Sequence, residues 1–146
     1  MEKTIKKLSQ VYYYIYSATI LATIIGYMYR MNTDNHLDLN SPLGIALKSI
    51  VILYMLISLP LALGGFYRMT KKWIAIEDET LKFNAYQKGA TLRLLLVGIG
   101  LISSITVFYI TKDVSLIYCA GISAIVLLFF CKPSVAKMIN DLKLDE

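Results

Sequence analysis

Four apolar blocks constrain this chain more than any other feature: residues 11–29, 43–67, 89–110 and 114–131. Each is about the length that an α-helix needs to cross a hydrocarbon layer, roughly 17–25 mostly apolar residues. The apolar residues come as solid blocks rather than as the one-faced stripes of amphipathic helices or strands. The alternative is a soluble core with about 18 or more uncharged residues in every helix, and the same length argument excludes it. Composition agrees, at 57% hydrophobic with a mean hydropathy of +0.59, against roughly 45–50% apolar in soluble domains. The expected fold is all-α: a four-helix integral membrane bundle forming one domain over 1–146, with a connector at 68–88 and a tail at 132–146.

The charges orient this bundle. The connector alone holds Arg68, Lys71, Lys72, Lys82 and Lys88. Of the fifteen basic residues, only Arg30, Lys48 and Lys112 fall outside the N-terminal segment, the tail and the stretch from Arg68 to Arg93. The positive-inside rule then predicts a multi-pass protein of a bacterial inner (plasma) membrane, with both termini and the connector cytoplasmic. The same flanking pattern accounts for the net charge of +5 and leaves no separate basic domain for nucleic acid. The basic start MEKTIKK before an apolar run resembles a secretory signal. The run is long and no small-x-small cleavage site follows in MYRMNTDNH, so an uncleaved first span is expected.

Read in order, the chain supplies further expectations. In the N-terminal segment, Ile5 and Leu8 are expected on the bilayer surface. Tyr12, Tyr13, Tyr14 and Tyr16 open the first span, and Tyr27 and Tyr29 close it. Tyr12 and Tyr29 are about 26 Å apart on a helix, the spacing of two interfacial aromatic belts. Tyr14 and Tyr16 lie deepest and are the two candidates to line a cavity. In the following loop, Asp34, His36 and Asp38 are residue types that bind metal. One short loop supplies at most three ligands and no second cluster exists, so a solvated loop without metal or cofactor is expected. Ser41-Pro42 reads as an N-cap and first turn. Lys48 lies about one turn inside the second span and is expected to snorkel to the interface. Pro60 should kink that helix, with Gly64-Gly65 softening the next turn.

Trp73 is expected at headgroup level, and Asp78 or Thr80 should cap a helix that runs unbroken into the third span. Arg93 sits about one turn inside that span. Gly98, Gly100, Ser103 and Ser104, with Ala120, Gly121, Ser123 and Ala124 on the fourth span, supply small residues for close packing in a tight hairpin. Cys119 and Cys131 are about 18 Å apart along one helix, too far for a disulfide. In the tail, Val135, Met138, Ile139 and Leu142 recur at helical spacing. They predict a short amphipathic helix on the membrane or against the connector.

The second half of the chain resembles a group of small four-span membrane proteins of Bacteroidota. The resembling residues are Tyr86-Gln87-Lys88, Thr91-Leu92-Arg93-Leu94, and Lys132-Pro133-Ser134 with Lys137, Ile139, Asp141, Leu142 and Leu144. Lys132 stands where that group usually has arginine, and the third span has glycines where the group often shows an acidic residue. The resemblance implies a class and no mechanism, and it draws attention to Arg93 and the tail.

All ten carboxylates lie outside the four blocks, whereas pumps and transporters usually place one inside. No Ser/His/Asp set, metal cluster or glycine-rich phosphate loop is present, so no enzymatic activity is expected. The expected function is that of a non-enzymatic accessory protein binding lipid or a protein partner; the alternative is a small oligomeric carrier, flippase or pore. Expected partners are membrane lipids and a second copy or another membrane protein. The candidate site is Arg93, with Lys88 and Arg68 as further anion contacts and Tyr14 and Tyr16 lining it.

Overall fold

The computed structural model describes residues 1–34, 38 and 40–144, and among them it is helical without strands. The helices are α1 (Glu2–Asn32), α2 (Pro42–Pro60), α3 (Phe66–Ile74), α4 (Glu79–Thr111), α5 (Val114–Phe129) and α6 (Val135–Leu142). A π-helical turn, Leu61–Gly65, joins α2 to α3 without a break. Three units are long and apolar enough to cross a membrane: α1, the continuous helix Pro42–Ile74, and α4. The fourth block is shorter than expected. α5 has 16 residues, about 24 Å of helix, and stops at Phe129 instead of reaching 131. Two causes end it: Pro133 disfavours helix in the residue before it, and the Lys137 ammonium binds the Phe130 carbonyl.

The central element is α4, which packs against α1, α2, α3 and α5. Its buried face carries Leu94, Val97, Leu101 and Ser104, each at most 3% exposed. Glycine permits the closest approaches, as small residues do where helices pack in lipid. A Cβ on Gly98 would stand 3.0 Å from the Ile15 side chain of α1, and one on Gly100 would stand 2.7 Å from Met55 Sδ of α2. On α5, Ser123 is fully buried and its hydroxyl meets Met55 Sδ at 3.2 Å. Gly121 faces open space, so it is not part of this packing face. The outer faces of α1, α2 and α5 expose Ile25, Leu56 and Phe129, among other large apolar side chains.

The helix signals act locally as their chemistry requires. The Ser41 hydroxyl accepts the Gly44 N–H, with Pro42 in the first turn. Asp78, rather than Thr80, caps α4 by accepting the Thr80 N–H at 2.8 Å. Only 75–78 interrupts the helices of the connector, so most of that charged stretch is helical. After Pro60, which has no N–H to donate, the chain takes one wide turn and continues.

Two ends can be told apart. At the terminal end α3 packs against α6, and Leu8 of α1 shares one core cluster with Met138 and Leu142 of α6, each at most 1% exposed. The helix α1 starts at Glu2 and buries Leu8 there. This corrects the expectation that Leu8 rests on a bilayer surface: it is buried in the main core cluster of the bundle. Tyr12 is likewise buried and packs edge-on against Tyr16, their ring centroids 4.9 Å apart, so it is not a belt residue. The amphipathic tail docks on the connector, where Asp141 accepts a hydrogen bond from the Tyr86 hydroxyl at 3.0 Å.

At the loop end, Lys112 turns the chain from α4 to α5 in the left-handed conformation, at φ 60°. Lys48 does not extend to the interface alone. Its ammonium lies 2.5 Å from Asp113 Oδ2, linking α2 to the α4–α5 turn. That ammonium holds the Asp113 carboxyl below its ordinary value of 3.8, against the opposing effect of burial. Asp113→Asn, which keeps an N-cap residue, should lose about 1–2 kcal/mol, discounted because Lys48 is partly exposed. A carboxyl with a lowered folded pKa stabilises above the unfolded pKa and stops doing so as pH falls through the folded one. Thermal melting of both proteins against pH should therefore show a constant gap at neutral and mildly acidic pH. The gap should close only below the ordinary carboxylate value.

Candidate functional site at the terminal end

The α4 position that sets Arg93 also sets its neighbours, since residues one and two turns earlier on the same helix are Gly89 and Tyr86. The Arg93 residue is 7% exposed. Its guanidinium carbon lies 3.7 Å from the centroid of the Phe66 ring, a close cation–π contact. Phe66, Trp73 and Tyr86 then pack edge-to-face on one another, with centroids 5.5, 5.7 and 6.1 Å apart. Trp73 is half-buried in this cluster. Gly89 is the reason. A Cβ there would stand 2.0 Å from Trp73 Cη2, so only the bare backbone of α4 admits the indole.

Gly89→Ala tests this seat. The intruding methyl costs about 1–3 kcal/mol as overpacking, against a gain of up to about 1 from helix propensity. The variant should melt lower, and Trp73 emission should shift to the red. An unshifted emission with a raised melting temperature would mean that α3 and α4 yield freely.

Arg93 has a charge to balance and little to balance it. No carboxylate lies within ion-pairing distance of it among the described residues, and its Nε has no hydrogen-bond partner. The Phe66 face returns about 2 kcal/mol for a desolvated cation, less than the several kcal/mol that burying an ion costs. The nearest charges make matters worse. Lys137 on α6 is close enough that burial and then Arg93 both push its pKa down, while Asp141 pushes it up. Asp141 is already bound by Tyr86. The terminal core thus carries more positive than negative charge, an arrangement suited to an anion.

Beside Arg93 lies a groove of about 140 Å³ between the π-helical turn and α4, walled by Leu61, Gly65, Phe66, Met69, Leu92 and Arg93 among others. A larger cleft of about 570 Å³ lies toward the loop end between α1 and α4, near Gly26 and Tyr109, but no charged side chain lines it. It offers mostly apolar surface, with the hydroxyl-bearing Tyr29, Thr106 and Tyr109 among its walls.

The expected site residues separate in the structure. Arg93 is buried, whereas Lys88 and Arg68 are exposed on the surface. Tyr16 is partly buried against the core, but Tyr14 is 74% exposed and points outward, so within one chain it lines no cavity. Helical geometry explains the split, because residues two apart on a helix lie on different faces. Of the residues that do surround Arg93, Tyr86 shares its helix, whereas Phe66 comes from α3 and Lys137 from α6. Only Tyr86, two turns before Arg93 on one helix, could have been linked to it beforehand. His36 lies outside the described residues, so the Asp34-His36-Asp38 reading does too; among the described residues no three metal-binding side chains gather. Comparison of the chain with family models, curated proteins and solved structures finds no match.

Proposed function

We propose that this chain is a multi-pass protein of a bacterial inner membrane, with its termini and connector cytoplasmic. It acts without catalysis, binding an anionic membrane component at its terminal end. The observation that carries this reading is Arg93: a cation that the fold buries without giving it a carboxylate. Natural chains keep such a group where something else supplies the counter-charge. Two further features support it. The basic segments 1–10, 68–88 and 132–144 belong to the end where Arg93 lies, the pattern of a cytoplasmic face. The bundle axis is filled by α4 itself, which favours binding over conduction through a single chain.

Orientation is tested by fusing a fluorescent protein or a phosphatase to the C-terminus. The first should glow and the second should stay inactive; the reverse overturns the orientation. Binding is tested by native mass spectrometry of protein released from membranes. Retained anionic lipid is expected, weakened about tenfold or more by Arg93→Ala, the loss of a charge-assisted contact. An unchanged spectrum would remove the site. The same spectra report whether a second copy or another protein accompanies the chain.

A further inference from the structure

We infer that the groove between the π-helical turn and α4 holds an acidic amphiphile, whose phosphate or carboxylate meets Arg93 and whose acyl chain lies along Leu61, Met69 and Leu92. The inference rests on the anion-binding reading above and adds the class of ligand and its route of entry.

The wall chemistry selects an amphiphile. Arg93 is the one charged side chain lining the groove, and the others are aliphatic, aromatic or glycine. A free inorganic anion would meet the guanidinium on one side and apolar carbon on the rest, losing hydration without replacement. A lipid acid brings its own apolar part, which those side chains cover. Arg93 as a residue is more than nine-tenths buried and its Nε is buried and unpartnered, so a hydrogen-bond donor stands unclaimed beside the groove.

The backbone shapes the opening. The π-helical turn Leu61–Gly65 follows Pro60 directly, and such turns concentrate at functional sites. Gly65 forms part of the wall, yet no packing requires a glycine there. A Cβ at this position would meet only Leu61 Cδ1, at 4.0 Å. What the missing side chain provides is open space. The volume of about 140 Å³ equals about five waters of the liquid, at roughly 30 Å³ each. It therefore takes the phosphate, or the carboxylate with its first few methylenes, and the remainder of the molecule extends sideways into the surrounding bilayer.

Trp73 is the only tryptophan and packs edge-to-face with Phe66, which lines the groove. It reports occupancy directly. The detergent-solubilised full chain is titrated with phosphatidylglycerol or phosphatidylcholine brominated on the acyl chains, bromine being a contact quencher. Phosphatidylglycerol should quench saturably at about tenfold lower concentration, the worth of one charge-assisted contact. Gly65→Leu, which fills the groove and leaves Arg93 in place, should abolish that preference. In the unaltered protein, oleate should displace the brominated phosphatidylglycerol and oleate methyl ester should not.

Equal quenching by both lipids, or a preference that survives in folded Gly65→Leu, overturns the groove. So does equal displacement by acid and ester. Displacement by sodium phosphate at lipid-like concentration would mean a free-anion site instead. If Arg93→Ala loses its retained lipid while the groove tests fail, the anion-binding reading stands and only the groove falls. If Arg93→Ala changes nothing, both fall.

Discussion

Arg93→Met will melt at a higher temperature than the unaltered protein in lipid-free detergent, and will no longer be stabilised by acidic lipid. Both halves follow from one imbalance. The arginine is buried with a ring face for company and no carboxylate. Replacing buried charge by an apolar side chain of similar volume is often stabilising, by about 1–4 kcal/mol, when the charge is poorly compensated. Losing the Phe66 contact costs about 2 kcal/mol. Where the charge is as poorly compensated as here, the upper end of that range applies, and the net expectation is a gain of up to about 2 kcal/mol, up to roughly 8 °C for a chain of this size. Added phosphatidylglycerol at about a hundred times its dissociation constant should raise the unaltered protein by about 2.7 kcal/mol and leave the variant unmoved. The order of melting temperatures then reverses with lipid. A variant that melts lower in both conditions would make Arg93 a packing residue, and the reversal is the signature that such a role does not produce. Sites that give up stability for binding behave in this way.

Met138→Asp will release the tail without unfolding the bundle. Met138 is fully buried, in one cluster with Leu8 and Leu142. A carboxylate there would have no partner in an apolar seat, a penalty of several kcal/mol. The short α6, eight residues long, is otherwise held by buried Leu142, by Lys137 on the Phe130 carbonyl and by the Tyr86–Asp141 hydrogen bond, worth about 1–3 kcal/mol. The cheaper response is undocking. Limited proteolysis should cut the variant after 132 at protease levels that leave the unaltered chain whole, while its helical circular dichroism changes little. Loss of the whole helical signal at the same temperature would show that the tail is an integral part of the bundle's core. Releasing α6 also moves Lys137 away from Arg93, so the affinity for acidic lipid should change with it.

Much of the fold was legible because its causes are local. An apolar block of about 20 residues, a Ser-Pro start and an Asp before a helix each act within one turn. Helix existence, the cap at Ser41, a cap at Asp78 or Thr80, and the α4–α5 hairpin could all be read in advance. Boundaries were less legible where a distant group intervenes. The end of α5 depends on Lys137 reaching back to Phe130, and the state of Lys48 depends on Asp113, which lies at the far end of α4. Tyr12 and Leu8 were misplaced for a related reason. Their burial requires partners on other helices, and an apolar or aromatic residue near a chain end gives no sign of which partner will cover it.

Arg93 marks the division most clearly. The sequence by itself determined that a cation sits about one turn inside an apolar helix, that its chain is helical and membrane-like in composition, and that basic residues crowd the segments on one side. These are properties of spacing and composition, and every residue carries them along its own helix. Only the tertiary structure decided that Phe66 lies under the guanidinium, that Gly89 seats Trp73, that Lys88 and Arg68 turn away, and that a groove opens where Gly65 has no side chain. Such facts depend on how four helices rotate about their axes and slide past one another. That rotation is set by the sum of many small packing contacts, each worth a fraction of a kcal/mol, and no short stretch of sequence states it.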